Sequence, residues 1–86
     1  MAHYEKVYVA VILYNDTDGK TKPLEIEWVN GNRYTISKIL DKQDAPPRHV
    51  GSSSTIRYKI LVQGRERELY HEKFANRWFL EKLVAP

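Results

Sequence analysis

The sequence predicts an all-β protein: a six-stranded antiparallel meander curled into a small, partly open barrel of the Src-homology-3-like or oligonucleotide/oligosaccharide-binding type. Three observations predict it. Apolar positions recur with a period of two along most of the chain, the periodicity of half-buried strands. Clusters of Asn, Asp, Gly, Pro and Ser punctuate these runs at short intervals. No stretch of about 11 residues or more places its apolar side chains mainly at i, i+3, i+4 and i+7, as a helix would.

Taken in order, the first run, Tyr4 to Tyr14, is apolar on both faces. Val7, Val9, Val11 and Leu13 occupy one face and Tyr8, Ala10, Ile12 and Tyr14 the other, so a strand covered on both sides is expected. Asn15 to Gly19 supplies turn residues, and a hairpin follows. In the second run, Pro23 to Val29, Leu24, Ile26 and Trp28 alternate with Glu25 and Glu27, which makes Trp28 a core anchor and Pro23 a strand start. Asn30-Gly31 is the strongest local signal, suited to a two-residue type I′ turn. The third run, Arg33 to Leu40, places Tyr34 and Ile36 on one face, then changes phase at Ile39 and Leu40, predicting a bulge near Ser37-Lys38.

A long connection follows, with Pro46-Pro47, Gly51 and Ser52-Ser53-Ser54, and residues 42–55 read as a flexible loop. Ile56, Tyr58, Ile60 and Val62 then alternate with Arg57, Lys59 and Leu61 in a fourth strand that Gln63-Gly64 turns back. The fifth, Arg65 to His71, is charged on both faces over its first half, the composition of a protected edge strand. Glu72 to Asn76 makes the last reversal. Arg77 to Val84 closes the chain, with Trp78 and Leu80 on one face and Phe79 and Leu83 on the other.

Length sets the scale: 86 residues hold one hydrophobic core, and a single domain over 1–86 is expected. A chain of this size buries only about 60 to 65% of its unfolded surface, which disfavours a deep catalytic cleft. The absence of cysteine in so small a chain points to a reducing compartment, and the cytoplasm is the expected location. The longest apolar run, Val7 to Tyr14, is strand length, so no membrane association is expected, and Met1 to Lys6 is too polar for a signal peptide. Asn15-Asp16-Thr17 matches a glycosylation sequon but reads as turn chemistry.

The spaced pattern of Trp28, Gly31, Tyr34 and Ile36, then Arg57-Tyr58, Gly64, Leu69 and Arg77-Trp78-Phe79, resembles that of uncharacterised small bacterial all-β proteins, domains of unknown function. The resemblance spans residues 23 to 80. It implies a fold and no activity.

Chemistry is thin. His3, His49 and His71 fall in a terminus, a loop and a strand, without the close pairing of a zinc site. Asp16-Thr17-Asp18-Gly19 resembles half of a calcium loop but lacks the glutamate that completes one. The serines cluster in the long connection, where no base is held beside them. Glu25/Glu27 and Glu66/Glu68 each share a strand face, which ordinary solvated alternation explains as well as an acid/base pair. The four glycines are dispersed and form no phosphate-binding loop. No cofactor, no metal and no enzymatic activity are expected.

Charge is more informative. The net charge is +3, but residues 1 to 32 carry three Lys and five acids, 3 − 5 = −2, leaving +5 for the remainder, which holds all six arginines. A basic and aromatic surface of Arg33, Arg57, Lys59, Arg65, Arg67, Tyr70 and Arg77 is the candidate site. It suits a protein or peptide partner, or, alternatively, a single-stranded nucleic acid whose bases stack on aromatic rings while Arg and Lys follow the backbone. The expected function is a small non-enzymatic binding module, acting as a monomer or as a homodimer formed through the second apolar face of the first strand.

Overall fold

The computed structural model describes residues 3–45 and 54–84. They form seven strands: β1 (His3–Asn15), β2 (Thr21–Glu27), β3 (Arg33–Thr35), β4 (Lys38–Ala45), β5 (Thr55–Val62), β6 (Arg65–Glu72) and β7 (Arg77–Val84). All pairings are antiparallel, in the order β3-β2-β1-β7-β6-β5-β4. The sheet curls into a half-barrel. Its order is a meander that has been closed and reopened elsewhere, because the first and last strands pair from His3↔Val84 to Val9↔Trp78. The two edges of the sheet, β3 and β4, are joined by only Ile36 and Ser37.

That link explains why seven strands stand where six were expected. The third run is one segment that leaves β2 and joins β5, and its break falls beside the expected bulge near Ser37-Lys38. The Ile36 N–H donates to the Leu24 carbonyl at 2.9 Å, while the Ser37 N–H and hydroxyl both donate to the Leu61 carbonyl at 2.9 Å. These bonds tie the two edges at one point. A second irregularity leaves Leu40 unmatched between Ile39↔Ile60 and Asp41↔Lys59. β4 runs to Ala45 and β5 starts at Thr55, so the connection expected over 42–55 is shortened at both ends: residues 42–45 and Thr55 are held in one ladder, and the Ser54 carbonyl accepts from the Lys73 N–H at 3.1 Å. The expectation of flexibility otherwise falls on residues 46–53, outside the described residues.

The core lies inside the curl: Ile26, Ile36, Tyr58, Ile60, Leu69 and Trp78 form one buried cluster, with Val9, Val11, Ile39, Ile56, Val62 and Leu80 packed on it. Three expectations about facing are corrected here. From Val7 to Val11 β1 is covered on one face only, since Val7, Val9 and Val11 are half-buried while Tyr8 and Ala10 are exposed; beyond it Ile12 is half-buried and Leu13 and Tyr14 are exposed. In β2, the register passes from Ile12↔Glu25 to Leu13↔Pro23, skipping Leu24. This bulge reverses the facing of everything before it, burying Pro23 and exposing Leu24. Trp28 lies just beyond β2 and is half-buried, whereas Trp78 is the buried tryptophan, held between His71, stacked at 4.1 Å, and Tyr58 at 5.4 Å.

Turn types are also redistributed. At Asn30-Gly31 only Gly31 takes positive φ (88°), and the Gly31 N–H donates to the Trp28 carbonyl while the Trp28 N–H donates to that of Asn32, each at 2.8 Å. This is a three-residue loop with a glycine bulge instead of the expected type I′ turn. The Asn30 side chain accepts from the Asn32 N–H at 3.0 Å, so it acts as a cap. The turn with two positive φ values is Gln63-Gly64, at 51° and 75°, linking Val62↔Arg65. Glutamine has less tolerance of this region than asparagine, so Gln63→Asn should stabilise the domain by about 0.5 to 1 kcal/mol. Chemical denaturation measures it; a loss of stability would show that the Gln63 side chain matters more than its backbone.

Candidate functional site: a split between two strands

β6 pairs with β5 along its whole length, from Thr55↔Glu72 to Val62↔Arg65, but with β7 only from Leu69↔Leu80 to Glu72↔Arg77. Beyond Leu80, β7 continues beside β1 alone. The sheet therefore forks at Leu69 and Leu80. On the walls of the fork, Arg65–Glu68 of β6 and Glu81–Val84 of β7 each have a strand neighbour on one side only among the described residues. The expectation that β6 is an edge strand is thus corrected: it lies inside the sheet, and only its charged first half behaves as an edge.

The fork opens a cleft of about 1040 Å³. Ile26, Val62 and Leu80 give it an apolar floor, Tyr4, Trp28, Tyr34 and Tyr70 line it with aromatic rings, and charged side chains form its rim. Register assigns those charges to faces. Arg67 lies opposite Ile60, and Arg65 opposite Val62, so both point to the inner face; Lys82, two residues beyond Leu80, joins them. Glu66, Glu68 and Glu81 alternate onto the outer face. Each wall is cationic inside and anionic outside, and the lining balances at 3 − 3 = 0.

Tyr70 joins the two walls. Its ring is buried and stacked on Phe79 at 4.9 Å, and its hydroxyl donates to Glu68 Oε2 at 2.7 Å, with the Glu81 carboxylate on the opposite wall also in contact. Burial first, and then these two carboxylates, hold the phenol well above the ordinary tyrosine value of 10.0. A folded-state value raised above the unfolded one contributes stability that is complete below pH 10 and is lost as pH rises beyond it. The stability advantage of the native protein over Tyr70→Phe should therefore shrink above pH 10. Denaturation at two alkaline pH values checks this, and a gap independent of pH would show that the hydroxyl is not so held.

The remaining candidate residues are not brought onto the same surface. Arg57 and Lys59 alternate with the buried Tyr58 and Ile60 and so lie on the outer face, where Arg57 Nη2 donates to Gln43 Oε1 at 3.1 Å. Arg33 pairs with Glu27 at 3.5 Å. Arg77 caps the Tyr8 ring at 4.4 Å and pairs with the buried Glu72 at 3.4 Å, which Lys6 also reaches at 3.4 Å. Glu72 Oε1 has no hydrogen bond, so the contact with Arg77 is Coulombic rather than a well-formed bond. Arg33, Arg57 and Arg77 are committed to partners within the domain. Arg65 and Arg67 are both exposed and form no ion pair with the described residues.

Of the cleft's residues, Arg65, Arg67 and Tyr70 are legible in the sequence as site candidates, whereas Trp28, Glu66, Glu68, Glu81 and Lys82 are not. The usable signal is the Arg-Glu-Arg-Glu run, too charged for a strand paired on both sides. Among the described residues no group of three His, Cys, Asp or Glu side chains is placed to hold a metal ion, and no helix is long and apolar enough to cross a membrane. His49 lies outside the described residues. Comparison with protein-family models, curated proteins and solved structures gives no match.

Proposed function

We propose that the protein is a small peptide-binding module that takes an extended segment of a partner protein into the fork between β6 and β7. The observation that carries this reading is the loss of β6–β7 pairing beyond Leu69↔Leu80, which leaves two strand edges facing an aromatic-lined cleft. Strand edges with unpaired N–H and C=O groups recruit extended chain, whose main-chain bonds supply affinity while alternate side chains supply specificity. The cleft volume lies just above the roughly 300 to 1,000 Å³ typical of small-ligand sites, room enough for a short strand.

Single-stranded nucleic acid is the weaker alternative. A polyanion needs cations gathered along one track, and here they divide between two faces, with carboxylates alternating among them. Selection from a displayed library of random linear peptides, followed by amide NMR of the labelled protein, tests the reading. Shifts should concentrate in residues 65–68 and 81–84, with quenching or enhancement of Trp28 fluorescence. Shifts produced instead by a mixed oligonucleotide, and abolished by moderate salt, would replace this reading with the nucleic-acid one.

A further inference from the structure

Resting on that reading, we infer what kind of segment the fork accepts: an extended peptide in which acidic and basic side chains alternate, acids toward the inner face and bases toward the outer. A strand added antiparallel to Arg65–Glu68 places its side chains directly opposite those of β6 and on matching faces. Positions across from Arg65 and Arg67 then favour Asp or Glu, and positions across from Glu66 and Glu68 favour Lys or Arg. β7 repeats the instruction from the other wall, with Lys82 inside and Glu81 outside.

The next strands carry the opposite signs: Glu5 lies opposite Lys82, Lys6 opposite Glu81, and Lys59 opposite Glu68. Distance decides between them. An added strand lies about 4.8 Å from the fork walls and about twice that from the strands behind, which exceeds the screening length of about 8 Å at physiological salt. The walls dominate.

The same pattern argues against a second copy as the occupant. Two β6 edges paired antiparallel about an axis normal to the sheet match inner face to inner face, setting Arg against Arg and Glu against Glu. Nor does either charged run suit a wholly apolar segment, whose side chains would bury Arg65 and Glu66 without partners.

The test uses two decapeptides of identical composition, one alternating Lys and Glu and one with all its Lys before all its Glu, titrated into the full chain and read by amide shifts. The alternating peptide should bind at least about tenfold more tightly, with shifts at residues 65–68 and 81–84. In the double variant Arg65→Glu and Arg67→Glu, at two exposed positions, that preference should vanish while a peptide alternating Lys and Ser gains affinity. Equal binding of the two decapeptides, or concentration-dependent broadening of residues 65–68 without peptide, would overturn the alternation rule. If library-selected peptides still shift the fork residues, strand addition survives that loss; if no peptide does, the reading beneath it has failed as well.

Discussion

Replacing Trp78 by alanine should cost about 3 to 5 kcal/mol, the usual range for removing a buried tryptophan, whereas Trp28→Ala should cost nearer 1 kcal/mol. The difference follows from what each ring touches. Trp78 is 8% exposed, stacked on His71 at 4.1 Å and packed on Tyr58 at 5.4 Å, so its loss empties the middle of an aromatic layer that neighbouring strands cannot collapse to fill. Trp28 lies past the end of β2, half-buried on the wall of an open cleft, where water takes the place of a removed ring. A domain of 86 residues has about 4 to 13 kcal/mol of stability in all, so Trp78→Ala should unfold it or lower its melting temperature by at least 12 °C or so. Urea denaturation of both variants decides the matter, and a larger loss from Trp28→Ala would refute the core assignment.

The two tryptophans also show where sequence legibility ends. Trp28 looks buried because Leu24, Ile26 and Trp28 keep a strict period of two, and nothing local announces that Leu24 is a bulge. Once one residue is skipped, parity before it inverts, which is why Pro23 is inside and Leu24 outside. β5 has no such interruption, and there the expected facing of Tyr58 and Ile60 holds residue for residue. For β1 the apolar content of both faces is legible, but whether anything covers the second face is a question of neighbours, and Tyr8 and Tyr14 are left exposed.

Strand neighbours are the least legible property, because backbone ladders carry no sequence label. The pairing of β1 with β7 joins residues at opposite ends of the chain, and only the finished sheet shows that β6 has a partner on both sides for half its length and on one side for the rest. Arg65 to Glu68 nevertheless carried the trace of this arrangement, since a run charged on both faces suits backbone that meets solvent or a partner. The basic surface expected from composition dispersed for a related reason. Residues adjacent in sequence, such as Arg65 and Glu66, point to opposite faces, and Arg33 and Arg77 had carboxylates in reach across the sheet.

Leu69→Ala should have a double effect, destabilising the domain by about 2 to 5 kcal/mol and lengthening the fork. Leu69 is fully buried and belongs to the last matched pair before β6 and β7 part. Its side chain packs in the core cluster, so truncation leaves a cavity at the open end of the four-pair ladder that holds β6 to β7. Hydrogen exchange should then quicken first at Tyr70 and Phe79, the next pair along, relative to the seam at Ile36 and Ser37. Ile60→Ala, equally buried but flanked by complete pairing with β6, should lose comparable stability without this local signature. If the two variants exchange alike, the fork is not a weak point of the sheet, and its width is fixed by something other than the packing of Leu69.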